Sequence, residues 1–327
     1  MKACWFDAFG SAQDVLQQGD WPTPEPGPGE VLVQLHTTGV NPSDVKKRAG
    51  AFPDLLEAGP VIPHSDGAGV ITAVGEGVSP SRLGERVFVY QAQYDRQLGT
   101  AAETVALDSA RAPVLPDNAS FEMGACIGIP IMTAHRCVFA DGPVANQLIL
   151  VTGGAGRVGH YAIQWARRAG ARVIATASNE QDATACREGG AEAVVNHREP
   201  EWGKAVLDLT RGQKIDRVID VEFGVNLPEL LQCVRIGATM ATYSSTVVPE
   251  PALPFRTMMF MDLTVRIVIV YAMPEEAKAQ AVVDTQAALT EGSMQHRVTE
   301  TLPFEQMAKA HEVIEEGSVR GCVVVTI

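Results

Sequence analysis

The sequence predicts an α/β fold that combines a β-rich domain with a second domain built on a doubly wound parallel sheet. Two observations carry this prediction. Up to about residue 118, the chain consists of short Val-rich segments bounded by Gly and Pro, which is typical of β-strands joined by turns. From residue 148 onward, apolar strand-like segments alternate with segments of helical periodicity, which is typical of parallel strands connected by helices.

The β-rich part opens with alternating prolines at residues 22–28, which impose a loop because proline fixes φ and lacks a backbone donor. We expect strands at residues 30–36 and 85–90, with glycines between them marking the turns. A helical segment over residues 120–140 then leads into the second part of the chain. Ser120 is its predicted N-cap.

A glycine-rich turn organises the second part. The apolar run at residues 148–151 meets glycines in both G-x-G-x-x-G and G-x-x-G-x-x-G spacing, a helical segment follows, and a second strand is expected at residues 172–176. In a Rossmann-type dinucleotide site, such glycines allow a sharp turn, close approach of backbone N–H groups to a pyrophosphate, and tight helix packing. The helix N-terminus adds further donors. The alternative is a plain strand–turn–helix. The candidate cofactor-binding residues of this turn are Gly153, Gly154, Ala155, Gly156, Arg157, Val158 and Gly159.

Beyond the glycine turn, strand and helix patterns continue to alternate. Trp202, Val206 and Leu209 stand at i, i+4 and i+7 and predict one buried helical face. Leucines at positions 227, 230 and 231, with Val234, predict another. The strands expected in this part of the chain lie at residues 217–221, 238–243, 263–271 and 322–326, with helices from about Pro274 and Pro303.

The alternation stops after Pro251, and we expect the tail to return to the first domain. The predicted boundaries are therefore residues 1–120 and 264–327 for the β-rich domain and residues 121–263 for the Rossmann-type domain. The apolar strand at residues 263–270 would lie next to the end of the parallel sheet. An open apolar edge associates unless it is paired or covered, so we expect a homodimer.

Composition excludes several classes of partner. The net charge of −13 over 327 residues argues against nucleic acid, which binds clustered Lys and Arg. The apolar stretch at residues 265–270 is far too short to span a membrane. The six cysteines are scattered without a C-x-x-C pair, which predicts reduced, buried thiols. Globular sequence begins directly after Met1, so we expect no signal peptide and a cytoplasmic location.

A β-rich first domain, a Rossmann-type second domain and a returning tail resemble the medium-chain dehydrogenase/reductase superfamily. Residues 39–44, 67–70, 73–78 and 84–87, together with the glycine turn, are similar to its quinone oxidoreductase (zeta-crystallin-like) branch. The resemblance implies a GroES-like catalytic domain, a Rossmann-type cofactor domain and homodimers. It also implies an enzyme that transfers a hydride from NADPH to a quinone.

The alcohol dehydrogenases of this superfamily hold a catalytic zinc, and the resemblance indicates where the ligands would stand. The loop of their first Cys ligand is residues 41–44 here and contains no Cys, and Ser65 stands at the position of the His ligand. The four-cysteine lobe for structural zinc is also missing. Because a catalytic zinc needs about three protein ligands, we predict no metal. His64 with Asp66 forms at most a partial site, the alternative being a loop histidine bonded to a backbone partner.

Direct hydride transfer without a metal requires an acceptor that is already electrophilic, such as a quinone or an enone. The resemblance implies that Asn41 lies in the substrate site, where its amide either donates to a developing oxyanion or holds a turn beside Pro42. Asp44 has the same two interpretations. Lys46 and Phe52 stand where relatives carry tyrosines. Lys46 is either a proton donor or a solvated charge, and Phe52 either walls the substrate or packs in the core. Met132 is a further substrate-binding candidate.

The end of the second predicted strand bears on cofactor choice. NAD-specific sites place a carboxylate there, whereas this chain has small polar residues, which favours NADPH. Asp182 replaces a lysine common in the family and weakens that preference. Ser178 and Asn179 are candidates to bind the phosphate, and turn formation is their competing role. The remaining candidate cofactor-binding residues are Thr133, Ser178, Asn179, His197, which replaces a common tyrosine, and Arg198.

We therefore expect an NADPH-dependent, zinc-independent quinone oxidoreductase. The alternatives are an enone or alkenal double-bond reductase on the same scaffold and a non-enzymatic, crystallin-like NADPH-binding protein.

Overall fold

The computed structural model describes residues 1–317 and 319–327. The chain forms two compact units, one of residues Met1–Ile129 and Val282–Ile327 and the other of Pro130–Ala281. The first unit is discontinuous in sequence, as expected from a returning tail. Its junctions lie at residues 129/130 and 281/282, whereas the sequence predicted 120/121 and 263/264.

The described strands are, in chain order, β1 Lys2–Trp5, β2 Gln17–Asp20, β3 Glu30–Val40, β4 Asp66–Val74, β5 Arg86–Val89, β6 Thr104–Asp108, β7 Leu148–Val151, β8 Arg172–Ala177, β9 Ala193–Asn196, β10 Ile215–Asp220, β11 Val234–Thr242, β12 Thr264–Ile267, β13 Val298–Pro303 and β14 Cys322–Thr326. The described α-helices are α1 Ala12–Val15, α2 Pro42–Arg48, α3 Phe121–Gly124, α4 Ile129–Phe139, α5 Arg157–Arg168, α6 Glu180–Glu188, α7 Trp202–Leu209, α8 Phe223–Cys233, α9 Phe255–Phe260, α10 Glu275–Thr290 and α11 Met307–Glu316.

The main sheet of the first unit has the strand order β13-β14-β3-β4-β5, and β6 pairs with β3. The tail strand β14 pairs antiparallel with β3, which confirms that the end of the chain returns to the first unit. The long antiparallel pair β3–β4 places Gly39 opposite Asp66. A Cβ atom at Gly39 would lie 2.0 Å from the Ala125 carbonyl oxygen, so only glycine fits there.

The second unit contains a six-stranded sheet of order β12-β11-β10-β7-β8-β9, whose neighbouring strands all run parallel. The chain proceeds outward from β7 to β9 on one side and from β10 to β12 on the other. This confirms the doubly wound sheet, and its switch point lies between β7 and β10, where ligands of such sheets bind. The glycine turn follows β7 at that point.

Asp141 joins three parts of the second unit. Both its carboxylate oxygens accept hydrogen bonds from Nε of Arg266 on β12, at 2.9 and 2.7 Å. The buried Arg217 of β10 lies 3.6 Å from the same carboxylate and donates to the Cys137 and Asp141 carbonyls. The edge strand is thus fastened to the segment after α4.

The structure departs from the predicted elements in two places. Trp202 and Val206 of α7 are buried, but Leu209 is 52% exposed, because it is the last residue of the helix and the core cluster does not extend to it. The strand predicted at residues 263–271 is only Thr264–Ile267, since the chain turns into a 3-10 helix at Val270–Ala272. This strand pairs with β11 in the parallel sheet, although the sequence assigned it to the β-rich domain.

Other predictions agree with the structure. The Ser120 side chain caps α3 by accepting from the Met123 N–H, and all six cysteines are buried and free of disulfides. Within residues 1–317 and 319–327, no helix has the length and apolar character needed to cross a bilayer.

Candidate active site

The polar cluster of the first unit starts at the N-terminus of α2. Asn41 is the N-cap residue and Pro42 occupies the first turn, where a missing N–H is harmless. Asp44, three residues after the N-cap, accepts a hydrogen bond from the Asn41 backbone N–H at 2.8 Å, as in a capping box. Both Asn41 and Asp44 are buried.

Asp66, the first residue of β4, completes this arrangement. Its Oδ2 accepts a hydrogen bond from Asn41 Nδ2 at 2.8 Å, and both its oxygens accept from the Ile129 N–H at 2.9 and 3.0 Å. A Cβ at Gly128 would lie 2.0 Å from Asp66 Oδ1, so glycine makes room for the carboxyl group. Asn41 therefore bridges two buried carboxyl groups.

Lys47 is the cation of this cluster, and sequence reasoning missed it. Its Nζ donates to the backbone oxygen and to Oε1 of Gln93, both at 2.7 Å, and only 6% of the residue is exposed. The signal was available in the sequence. An Asn-Pro-x-Asp capping pattern starts a helix, and on that helix Lys47 follows Asp44 by three residues and shares its face.

Burial dominates the electrostatics of the cluster. Desolvation raises the pKa of Asp44 to about 6 and that of Asp66 to about 8, whereas the charge of Lys47 lowers both. Desolvation lowers the pKa of Lys47, and the two carboxylates oppose that shift. The pKa of Asp66 is raised further by the neighbouring charge of Asp44. Protonation of this cluster is thus poised around neutral pH.

A buried histidine pair lies at the positions considered for a partial metal site. His64 Nδ1 contacts Thr38 Oγ1 at 2.9 Å, and His64 Nε2 contacts His311 Nε2 at 2.9 Å. Burial lowers the pKa of His64 to about 3 and that of His311 well below its usual value, so both rings are neutral. Both ring nitrogens of His64 are thus engaged by side chains of the fold, where a backbone partner was expected. Among the described residues, no group of three His, Cys, Asp or Glu side chains is placed to hold a metal ion.

The other two candidates of the first unit lie outside the cluster. Lys46, two residues after Asp44 on α2, is exposed. Phe52 precedes the 3-10 turn at Pro53–Leu56 and is 49% exposed, so it does not pack in a core. Their roles toward substrate remain predictions.

In the second unit, the glycine turn has the backbone geometry that its spacing predicts. Gly153 has φ of +59°, and its N–H donates to Thr176 Oγ1 at 3.0 Å. A Cβ at Gly159 would lie 2.4 Å from the Gly153 carbonyl oxygen, so this glycine permits close packing of α5. At Gly156, by contrast, a Cβ would meet only that same oxygen, at 3.2 Å. Gly156 is the N-cap of α5 and has no side chain to cap the helix, which leaves first-turn N–H groups for a ligand.

Small polar residues follow β8, as predicted. The Asn179 side chain caps α6 by accepting from the Asp182 N–H at 2.9 Å, and its Nδ2 donates to the Asp182 carboxylate at 2.9 Å. Ser178 Oγ lies 3.5 Å from the same carboxylate. His197 Nδ1 contacts Thr176 Oγ1 at 3.1 Å, and Arg198 is exposed. Thr176, which binds both Gly153 and His197, is a residue that sequence reasoning missed.

The carboxyl end of β10 carries a further polar group. Asp220 accepts from Thr152 Oγ1 at 2.7 Å and from Asn226 Nδ2 at 2.8 Å, and burial raises its pKa. Thr152 directly precedes the glycine turn, so this carboxyl group helps to fix where the turn begins. Met132 and Thr133 on α4 are both buried, and their contacts with ligands remain predictions.

Two family profiles match the chain. Residues 27–117 match the alcohol dehydrogenase GroES-like domain, and residues 158–302 match the family described as zinc-binding dehydrogenase. A human quinone oxidoreductase is 31% identical over 323 residues, which cover 97% of this chain and 95% of that protein.

Solved structures extend the comparison over the complete chain. A mycobacterial protein complexed with NADPH is 26% identical, with a TM-score of 0.88 and 100% coverage of both chains. An NAD-dependent alcohol dehydrogenase is 29% identical, with a TM-score of 0.87 and the same coverage. These structural matches and the full-length sequence match agree with the β-rich first unit and the glycine turn described above. The chain therefore belongs to the quinone oxidoreductase branch of the medium-chain dehydrogenase/reductase superfamily of oxidoreductases.

Proposed function

We propose that the protein is an NADPH-dependent quinone oxidoreductase that works without zinc. The observation that carries this proposal is the Asn41 bridge between Asp44 and Asp66, at the loop where zinc-dependent relatives carry a metal ligand. Asn41 is a hydrogen-bond donor that needs no metal. One of its two Nδ2 hydrogens serves Asp66, and the second can serve a substrate oxygen.

The glycine turn fits a dinucleotide. Its features are those of a pyrophosphate cradle, namely a glycine N-cap on a twelve-residue helix, first-turn N–H groups and a positive helix end. Gly156 supports this assignment because its missing side chain leaves space that the fold does not fill. When bound, NADPH supplies the hydride for the reduction.

The residues after β8 favour NADPH over NADH, but the carboxylate of Asp182 limits this preference. The acidic residue that binds ribose hydroxyls in NAD sites is absent from the strand end. Ser178 and Asn179 offer polar atoms to a 2′-phosphate, but both lie beside the Asp182 carboxylate. That negative charge opposes a phosphate, so we infer a modest preference. The mycobacterial relative complexed with NADPH supports the same choice.

The residues at the expected zinc-ligand positions are not suited to bind zinc. The loop at residues 41–44 contains no Cys, Ser65 stands at the position of the His ligand, and His64 uses both ring nitrogens within the fold. A catalytic zinc needs about three N, S or O ligands and an open position. The remaining role of the protein is to bind and orient the acceptor and to donate hydrogen bonds as charge develops on its oxygen.

We also propose that the protein is a cytoplasmic homodimer. The edge strand β12 pairs with β11 alone among the described strands, and Ile267 on it is 81% exposed. A second copy can satisfy this edge by two-fold pairing of β12 with itself. Further apolar side chains exposed in the adjoining segment are Val247, Leu253, Phe255, Met259, Phe260 and Ile269. Buried free thiols support a reducing compartment.

Replacing Gly156 with Val should strongly weaken cofactor binding and preserve the fold. The new side chain meets little protein but occupies the space for the pyrophosphate. Loss of two charge-assisted hydrogen bonds at about 1.5 kcal/mol each weakens binding by about 100-fold. Calorimetric titration with NADPH and NADH, alongside thermal unfolding, measures both effects. NADPH binding at the wild-type level by a folded Gly156→Val protein would contradict the assignment.

Quinones should be reduced faster than simple ketones. An unactivated ketone needs its oxygen polarised, whereas a quinone gains aromatic stabilisation on reduction and delocalises the charge. Asn41→Ala should lower kcat by about 100-fold, the usual effect of removing one oxyanion donor, and should leave NADPH affinity unchanged. A steady-state panel of quinones, enones and ketones measures this. Faster turnover of enones favours the double-bond reductase, and NADPH binding with no turnover favours the crystallin-like alternative.

The dimer should dissociate when a charge is placed on the edge strand. Ile267→Asp introduces a carboxylate at an exposed position, so a monomer tolerates it but an apolar interface does not. Leu209→Asp is the matched control, since Leu209 is also exposed but lies on α7. Sedimentation velocity should show a dimer for the wild type and the control and a monomer for Ile267→Asp. A monomeric wild type at micromolar concentration would refute the proposal.

A further inference from the structure

The proposed reaction assigns no role to the buried ammonium of Lys47. A buried lysine loses hydration and persists as a cation only where anions or hydrogen bonds replace water. Lys47 has both. Gln93 accepts two hydrogen bonds from Nζ and is itself fixed, because its Nε2 donates to the Arg96 carbonyl at 2.7 Å. The charge of Lys47 also lowers the pKa of Asp44 and Asp66.

Without the Lys47 ammonium, the negative charges of Asp44 and Asp66 are not balanced. Asp44 and Asp66 are each at most 1% exposed, and Asp44 Oδ1 has no hydrogen-bond partner within the described part of the chain. The nearby guanidinium of Arg48 is used elsewhere, since it donates to the Gly10 carbonyl and to Glu315.

The remaining titratable groups packed against the cluster do not supply this charge. His64 and His311 are neutral. The Arg96 guanidinium donates to the Ala106 carbonyl, and Lys46 is exposed on the other side of α2. Lys47 is the cation whose charge acts on both carboxylates.

Ionisation of Asp66 decides the orientation of the Asn41 amide. A carboxylate only accepts hydrogen bonds, so it requires the NH₂ end of the amide to face it, as observed at 2.8 Å. A protonated carboxyl group can also donate, and then the flipped amide, with its oxygen facing Asp66, keeps a hydrogen bond to it. Protonation therefore releases the constraint that fixes the second Nδ2 hydrogen of Asn41.

We propose that Lys47 is a positioning residue that favours the ionised form of Asp66 and thereby fixes the Asn41 amide with one N–H available to the substrate oxygen. This inference rests on the proposed function, because it concerns the donor that the reduction uses. Lys47 assists through Asp66 and Asn41 and touches no reacting atom. Activity should consequently fall as the pH drops through the titration of Asp66.

The test compares Lys47→Met, Lys47→Arg and the wild type in pH profiles of quinone reduction with NADPH. Removing the ammonium raises the carboxyl pKa values, so the acidic limb of kcat for Lys47→Met should move to higher pH. An opposite charge nearby shifts a carboxyl pKa by about 1–3 units, so we expect at least about one unit. Activity should fall about tenfold at neutral pH and recover at high pH. NADPH affinity should not change, and Lys47→Arg should restore the wild-type profile.

Lys204→Met is the matched control, because Lys204 is an exposed helical lysine of the second unit. It removes the same charge and should leave the profile unchanged. A loss in Lys47→Met that is equal at every pH, an unchanged profile, or a shift produced by Lys46→Met in its place would overturn the inference. If wild-type protein reduces no quinone, the proposed function fails, and the inference is then judged by the titration described next.

A direct readout does not depend on turnover. Carbon-detected NMR of ¹³C-aspartate-labelled protein follows the carboxyl titrations, with signals assigned from Asp66→Asn and Asp44→Asn. The Asp66 titration should move to higher pH in Lys47→Met. If that variant does not fold, Asp66→Asn provides the second test. It should lower kcat and remove the acidic limb, since a neutral amide does not titrate, and a persistent limb would contradict the inference.

Discussion

Asn41 donates hydrogen bonds to two buried carboxyl groups, and the arrangement of the first unit around it depends on that pair of contacts. The backbone contact to Asp44 begins α2, and the side-chain contact to Asp66 ties the end of β3 to the start of β4. Gly128 supplies the space that the Asp66 carboxyl group needs. A polar side chain held this rigidly costs little reorganisation when it meets developing charge.

Charge balance links this geometry to the chemistry. The cluster contains two buried carboxyl groups and the buried ammonium of Lys47, which donates to Gln93. Burial raises the pKa values of Asp44 and Asp66, and the charge of Lys47 offsets this only in part. The second unit differs in this respect. Its glycine turn offers backbone donors and a helix end in place of charged side chains.

The sequence was informative wherever one residue type has a single physical use. Glycine spacing predicted the turn after β7, alternation predicted the parallel sheet, and the tail strand was predicted at its observed residues. It was less informative where tertiary context decides. Leu209 has helical phase but no neighbour to bury it, and the strand after Leu263 ends early because the chain turns away. Lys46 was preferred over Lys47 because it stands where relatives carry a tyrosine. Since α2 was not predicted, the helical phase that places Lys47 on the face of Asp44 was not considered.

Zinc-independent reduction is tested most directly by single-turnover oxidation of bound NADPH with a small quinone, followed by stopped-flow absorbance before and after treatment with a strong chelator. The Asn41 bridge requires no metal, so the rate constant should be the same in both samples, and elemental analysis should find no stoichiometric zinc. A rate that is lost on chelation and restored by adding zinc, with about one zinc per chain, would contradict this mechanism.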